Sequence, residues 1–324
     1  MIFLNIGVVL LMLLMLVLSA SFVCFMIVFY SPKRKPLGDK IEILEGKEYE
    51  AYTEQIITWT RQVRSLPRTD LSITSRDGLT LVGKYYEYEK DSPVEIMFHG
   101  YRGTGERDLC GGVERCFKLG RSALVVDHRA AGLSDGRVIT FGIKEHLDCL
   151  DWVNFAVSYF GKERKLLVTG ISMGAATVLM AAAKELPPSV VGVLADCPYT
   201  TPRDIIRKVV RDLHLPVSIF YPLIRLGAIV FGRFDPESYS PLEAVSKITL
   251  PTIFIHGDTD GFVPVEMSHK LFDECSAAKK KLFIVPGADH GLAYPKDSEE
   301  YLKQVGAFQT ECYAVSIDNS HEKD

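Results

Sequence analysis

The sequence predicts an α/β fold: a mostly parallel sheet covered by helices on both faces, preceded by one N-terminal transmembrane helix. Three observations predict it. Short, solidly apolar runs alternate with longer segments of helical periodicity, the pattern of parallel strands buried on both sides. An alternating polar and apolar hairpin opens that series. Residues 2–30 carry no charged side chain. At 324 residues the chain is long enough for one large core.

Taken in order, the apolar run comes first. As a helix rising ~1.5 Å per residue it reaches roughly 43 Å, enough to cross a hydrocarbon layer of ~30 Å with some tilt. No Lys or Arg precedes it, and it is much longer than the ~7–15 residues of a signal-peptide core, so a retained anchor is expected over residues 1–30. Lys33, Arg34 and Lys35 follow at once, which by the positive-inside tendency places the rest of the chain in the cytoplasm. Cys110, Cys116, Cys149, Cys197, Cys275 and Cys312 show no pairing pattern, and a reducing compartment accommodates free thiols. The alternative is a secretion signal, with the protein outside the cell.

Residues 31–66 read as a polar linker, "SPKRKPLGDK", and then an amphipathic helix. Tyr49, Tyr52, Ile56, Trp59, Val63 and Leu66 recur at steps of three and four, a face expected to pack on the domain. "LSITSRDGLTLVGKYYEYE" reads as two strands joined at Asp77-Gly78. Apolar strands follow at 94–100, 122–128, 165–170, 190–196, 251–257 and 281–287, with helical segments near 106–119, 142–160, 173–186, 264–275 and 297–312. The folded domain is therefore expected over 67–312, and residues 313–324, "AVSIDNSHEKD" after Tyr313, as a frayed polar tail.

The chemistry starts at "GISMGA", where Ser172 stands between an apolar strand and an Ala-rich helix. Such a strand-turn-helix holds a serine on a sharp elbow at the carboxyl end of a parallel sheet. A hydroxyl is a weak nucleophile, so a base and a group to orient that base are required. His290, in "VPGADHG" after the last apolar strand, is the candidate base. Asp260, in "IHGDTDGFVP" after the preceding one, is the candidate acid. Three separate strand ends thus supply three different required groups, in the order Ser, Asp, His.

With "SRDGLTLVGKYY", "FHGYRGT", "DHRAAGLSDG", "GISMGA", "SPLEAV", "HGDTDGFVP" and "ADHG" in place, the chain from about Leu71 to Phe308 resembles the α/β-hydrolase superfamily. It is most similar to membrane-anchored α/β-hydrolase-domain proteins and to serine peptidases of the prolyl oligopeptidase and aminopeptidase type. The resemblance implies the α/β-hydrolase fold and prefers the second Asp of HGDTD, Asp260, to Asp258, with Asp196 in "LADCP" as runner-up. It also implies an oxyanion hole from the backbone N–H groups of Met173 and Tyr101, and a helical lid inserted at about 198–250. His99, His256, Asp127 and Arg129 are expected to support loops, and relatives usually carry Gly at Ala130 or Ala131.

In the lid, basic residues outnumber acidic ones between Arg203 and Arg233, while 217–231 is strongly apolar. A lid facing anionic lipid, its apolar face forming an acyl pocket, is one expectation; a solvated cover is the other. Cys and His lack paired zinc spacing, "GTGERDLCGG" lacks the Lys-Ser/Thr of a P-loop, and a net charge of −4 predicts no general attraction to nucleic acid. The expected activity is hydrolysis of a small-molecule carboxylic ester or thioester, lipid included, without cofactor or metal, at a bilayer engaged through residues 2–30. A serine peptidase and a noncatalytic membrane scaffold are the alternatives.

Overall fold

The computed structural model describes residues 2–33, 38–43 and 46–321, with side chains described from Asn5 to Val315, short of the last turns of the C-terminal helix. Arg34 and Lys35 of the basic flank, and the middle of the linker, lie outside these residues. Helix α1 (Ile2–Val28) is followed by the single turn α2 (Lys47–Glu50) and by α3 (Thr53–Ser65). β1 (Thr69–Thr74) and β2 (Thr80–Tyr86) form the antiparallel hairpin, turning at Gly78. Then β3 (Val94–Phe98), α4 (Gly105–Lys118), β4 (Ser122–Val126), α5 (Glu145–Phe160), β5 (Leu166–Ile171), α6 (Met173–Ala182) and β6 (Val190–Asp196) alternate. Between the sixth and seventh strands come α7 (Pro202–Asp212), α8 (Val217–Gly227), a π turn at Ala228–Gly232, and α9 (Pro241–Val245). The chain closes with β7 (Thr252–Gly257), α10 (Glu266–Glu274), β8 (Lys280–Val285), α11 (Ala293–Lys296) and α12 (Ser298–His321).

The eight strands form one sheet in the order β1-β2-β4-β3-β5-β6-β7-β8, parallel from β4 to β8. Every residue of β3, β4, β6 and β7 is buried, as strands covered on both faces must be. One face packs on α5, α6, α9 and α10 through Trp152, Val178, Leu179, Val245 and Leu271. The other packs on α3, α4 and α12 through Trp59, Val113, Tyr301 and Phe308. The amphipathic helix therefore covers the domain, with Trp59 stacked on Tyr294 at 5.3 Å.

A third core lies above the carboxyl edge of the sheet. There Phe25 and Phe29, from the end of α1, are buried with Ile205, Ile224 and Phe234 of the insertion. Side chains earlier in α1, from Asn5 to Val17, stand exposed. Asn5–Val28 has a mean hydropathy of 2.9 and is long enough to cross a membrane. The apolar helix and the domain are thus continuous: Ser31 donates to the Arg137 carbonyl and Ile139 to that of Phe29, at 2.9 and 2.8 Å.

One expectation fails. Residues from Tyr313 to His321 continue α12 instead of fraying. The apolar stripe Tyr301, Val305, Phe308 and Cys312 keeps one helix face buried as far as Cys312, and Gln309 donates to the Tyr313 hydroxyl at 3.0 Å. All seven cysteines are free.

Candidate active site

Ser172 occupies the single residue between β5 and α6, with φ 56° and ψ −116°. That left-handed backbone is strained for a residue with a Cβ and points the side chain out of the sheet edge. Its glycine neighbours are sterically required. A Cβ on Gly170 would lie 2.1 Å from the Gly174 carbonyl carbon, and one on Gly174 would lie 2.1 Å from the Phe98 oxygen. The Ser172 N–H is fixed by the Asp196 carbonyl at 2.8 Å.

The loops after β7 and β8 bring the other two residues to this point. His290 Nε2 lies 3.0 Å from Ser172 Oγ, and His290 Nδ1 lies 2.7 Å from Asp260 Oδ2. Because Nδ1 faces a carboxylate it carries the ring proton, which leaves Nε2 to accept from the serine hydroxyl. Asp260 Oδ1 accepts from the N–H groups of Phe262 and Val263 at 2.9 and 2.7 Å. Burial alone would raise the Asp260 pKa, but hydrogen bonds from His256 and His290 outweigh it and hold the carboxyl well below its usual range. The main chain of His290 is held from two sides, by Asp289 Oδ1 at 2.7 Å and by the Tyr49 hydroxyl at 3.1 Å.

Asp258 accepts from the Gly287 N–H at 2.6 Å, joining the two loops. Asp196 does not reach the imidazole; its Oδ2 accepts from the Tyr301 hydroxyl at 2.9 Å, and burial raises its pKa. His99 and His128 brace each other: the His128 N–H donates to His99 Nε2 at 3.0 Å, and burial lowers both pKa values. Arg129 bridges Asp148 and Asp77, and Asp127 accepts from Gly105 and Leu133, so both support loops. Ala130 takes φ 59°, where a glycine would be less strained. His256 does more than expected. Its Nε2 approaches Asp260 Oδ2 at 3.1 Å and the Val263 carbonyl at 2.8 Å, while Nδ1 meets Ser268 Oγ at 2.6 Å. It therefore helps to orient the acid.

Met173 is the first residue of α6, where an N–H has no acceptor within its own helix. The Gly100-Tyr101 backbone lies opposite: a Cβ on Gly100 would be 3.5 Å from that of Ser172. Asp108 Oδ2 holds the Gly100 N–H at 3.1 Å. Tyr101 has a second attachment, its hydroxyl donating to the Val28 carbonyl at 2.6 Å, while Arg102 donates to that of Ile27 at 2.5 Å. These bonds satisfy carbonyls that the end of α1 would otherwise leave bare.

Two openings flank Ser172. On one side a cavity of about 400 Å³ is lined by apolar side chains, among them Met173, Tyr199, Ile205, Val210 and Ile224. On the other, a cleft of about 530 Å³ carries Glu48, Arg107, Asp108, Lys208, Asp212 and Asp289. Arg107 pairs with Asp108, and Lys208 with Asp212, at 2.6 Å each. Cys197 also lies near Asp260 and His290 in the only cluster of possible metal-ligating groups among the described residues, and burial raises its thiol pKa.

Residues 232–316 match the model of the prolyl oligopeptidase family. The chain is 27% identical over 191 residues to the uncharacterized protein YqkD of Bacillus subtilis, a match covering 59% of this chain and 62% of YqkD, less than two thirds of its length. It is 24% identical over 267 residues to protein bem46 of Schizosaccharomyces pombe, covering 80% and 78% of the two chains. Among solved structures it resembles the Pyrococcus furiosus esterase Pf2001, with a TM-score of 0.64 and 23% identity, over 84% of this chain and 97% of the esterase. The chain has the α/β-hydrolase fold. In an α/β-hydrolase a serine between the fifth strand and the following helix stands at the carboxyl edge of the sheet, where Ser172 stands.

Proposed function

We propose that this protein is a membrane-anchored serine hydrolase that cleaves carboxylic ester or thioester bonds through an acyl-enzyme. The observation that carries this is Ser172, hydrogen-bonded to a His290 that is itself fixed by Asp260, standing between an apolar cavity and a polar cleft. An acyl chain fits the first and a polar alcohol or thiol leaving group the second. His290 takes the Ser172 proton as Oγ attacks the carbonyl carbon. The Met173 and Tyr101 N–H groups donate hydrogen bonds to the carbonyl oxygen as negative charge develops on it. His290 then returns the proton to the leaving group as the acyl–oxygen or acyl–sulfur bond breaks, and water repeats the steps to release the acid. Asp260 holds the imidazole in the tautomer that can accept. The basic flank beginning at Lys33 supports a cytoplasmic catalytic domain.

The test is a panel of esters and thioesters of varied acyl length with the full chain in vesicles, alongside fluorophosphonate labelling. Turnover and labelling should both disappear in Ser172→Ala while thermal stability changes little, since the backbone and Cβ of the turn are kept and one hydroxyl with a single side-chain partner is lost. Turnover retained in that variant refutes the proposal. The match to prolyl oligopeptidases favours a second reading, a serine peptidase on the same three residues. Faster cleavage of peptide amides than of acyl esters would establish it instead.

A further inference from the structure

We propose that the acyl chain of the substrate reaches Ser172 directly from the bilayer, through a mouth walled by the membrane helix itself; this rests on the hydrolase reading above. Val23, Cys24, Ile27 and Val28 of α1 line the same apolar cavity as Ser172 and Met173. The cavity opens where lining residues are also exposed. Apart from Phe262, which also lines the polar cleft, these are Val23 and Ile27 on α1, and Leu213 and Leu215 just past the end of α7, with exposures between 37% and 64%. The inner lining, including Tyr199, Ile205 and Ile224, is buried. An acyl chain passing inward between α1 and α7 therefore meets apolar surface throughout.

The depth of this mouth follows from the sequence. The span runs through Val28 and the chain turns basic at Lys33, so the headgroup boundary lies just past the end of α1. Val23 and Ile27 then stand at the level of the acyl chains of one leaflet. The exposed side chains Ile219, Ile229 and Val230, on elements packed against α1, give the same face an apolar surface for that leaflet. Nor can α1 drift from the domain. A Cβ on Gly227 would lie 2.4 Å from the Ser21 carbonyl oxygen, the close small-residue contact by which membrane helices pack. The substrate class is thus a long-chain acyl ester or thioester resident in the membrane, its polar group directed to the cleft beyond Ser172.

The experiment compares hydrolysis of palmitoyl and butyryl p-nitrophenyl esters by the full chain in phosphatidylcholine vesicles. Ile27→Trp and Leu213→Trp narrow the mouth, and Leu14→Trp adds the same bulk to an exposed part of α1 away from the cavity. Each methylene that loses apolar surroundings costs about fourfold in binding. Excluding even two carbons should lower the palmitoyl-to-butyryl ratio more than ~tenfold in both mouth variants, with the Leu14→Trp ratio at the parent value. Parent-like ratios in the mouth variants overturn the proposal alone. Failure of the parent protein to cleave either ester overturns the hydrolase reading and this proposal with it.

A second measurement needs no substitution. Cys24 is half-buried in the cavity wall, and the other six cysteines are buried. Hexadecyl fluorophosphonate on Ser172 should slow alkylation of Cys24 by N-ethylmaleimide more than ~tenfold, since its chain fills the space beside the thiol. Ethyl fluorophosphonate should leave that rate unchanged. Equal rates with the two probes overturn the proposal.

Discussion

Asp260→Asn should abolish the proposed turnover through the direction of one proton. In the parent, Oδ1 accepts two backbone N–H groups, from Phe262 and Val263, and Oδ2 accepts from His290 and His256. An asparagine has one oxygen for these two places. Placing it at the Oδ1 position keeps both backbone bonds. His256 then loses an acceptor, but it retains the Val263 carbonyl at 2.8 Å. The reverse orientation would set an NH₂ against two backbone donors that have no substitute, each costing ~1–3 kcal/mol. The amide nitrogen should therefore face His290 and donate to Nδ1. That drives the ring proton to Nε2, pointing it at Ser172 Oγ, where an imidazole can no longer accept. In serine-protease triads the corresponding change costs ~10⁴ in turnover, or about 5.5 kcal/mol of transition-state stabilisation. Ester hydrolysis and fluorophosphonate labelling rates would measure it, with circular dichroism to verify the fold. Asp196→Asn is the control, because the Asp196 side chain bonds Tyr301 and not the imidazole. A large loss in Asp196→Asn with little in Asp260→Asn would refute the reasoning.

Two further outcomes concern stability. Glu95 is fully buried between Arg115 and Arg121, so Glu95→Gln leaves two buried guanidinium groups without their counter-charge and should cost ~3–5 kcal/mol, read as a large drop in Tm; a loss below ~1 kcal/mol would sink this view of the cluster. Asp77 is held at about 2 by hydrogen bonds from Arg129, below the ~3.9 of an unfolded chain. A depressed carboxyl contributes stability above the unfolded value and loses it as pH falls through the folded one. Thermal stability should therefore fall between about pH 4 and pH 2, and Asp77→Asn should flatten that limb; an unchanged slope refutes the assignment.

Ser172, Asp260 and His290 were legible because each stands just after an apolar strand, and local pattern locates strand ends. What joins distant segments was not legible. Glu95 sits inside β3, and nothing nearby in sequence announces that Arg115 and Arg121 neutralise it from α4 and the turn that follows. His256 reads as a strand-end histidine until the loop after β7 folds back and brings Asp260 to its Nε2. The helical continuation past Tyr313 was obscured by polar residues around a sparse apolar stripe, whose burial depends on β6 and β5 across the fold. The apolar run of α1 hid most. Leu and Phe side chains look the same in sequence whether lipid or protein covers them, so the burial of Phe25 and Phe29 among lid residues had no separate signal.

The end of α1 is tied to the candidate site for an elementary reason. A helix terminus leaves carbonyls that need donors, and here they come from the Tyr101 hydroxyl and the Arg102 guanidinium. The same Tyr101 carries one of the two amides assigned to the oxyanion. Its ring also packs 5.0 Å from that of Phe141, which meets Phe29, just past α1, edge-on at 5.8 Å. A shift of α1 by an ångström would therefore pull on the Tyr101 side chain and, through it, on the loop that carries its amide. Misplacement on that scale typically costs ~10²-fold in rate. In this arrangement α1 supplies one wall of the apolar cavity beside Ser172 and holds the side chain of Tyr101, so a protein cut free of it should lose order at the candidate site as well as its apolar helix.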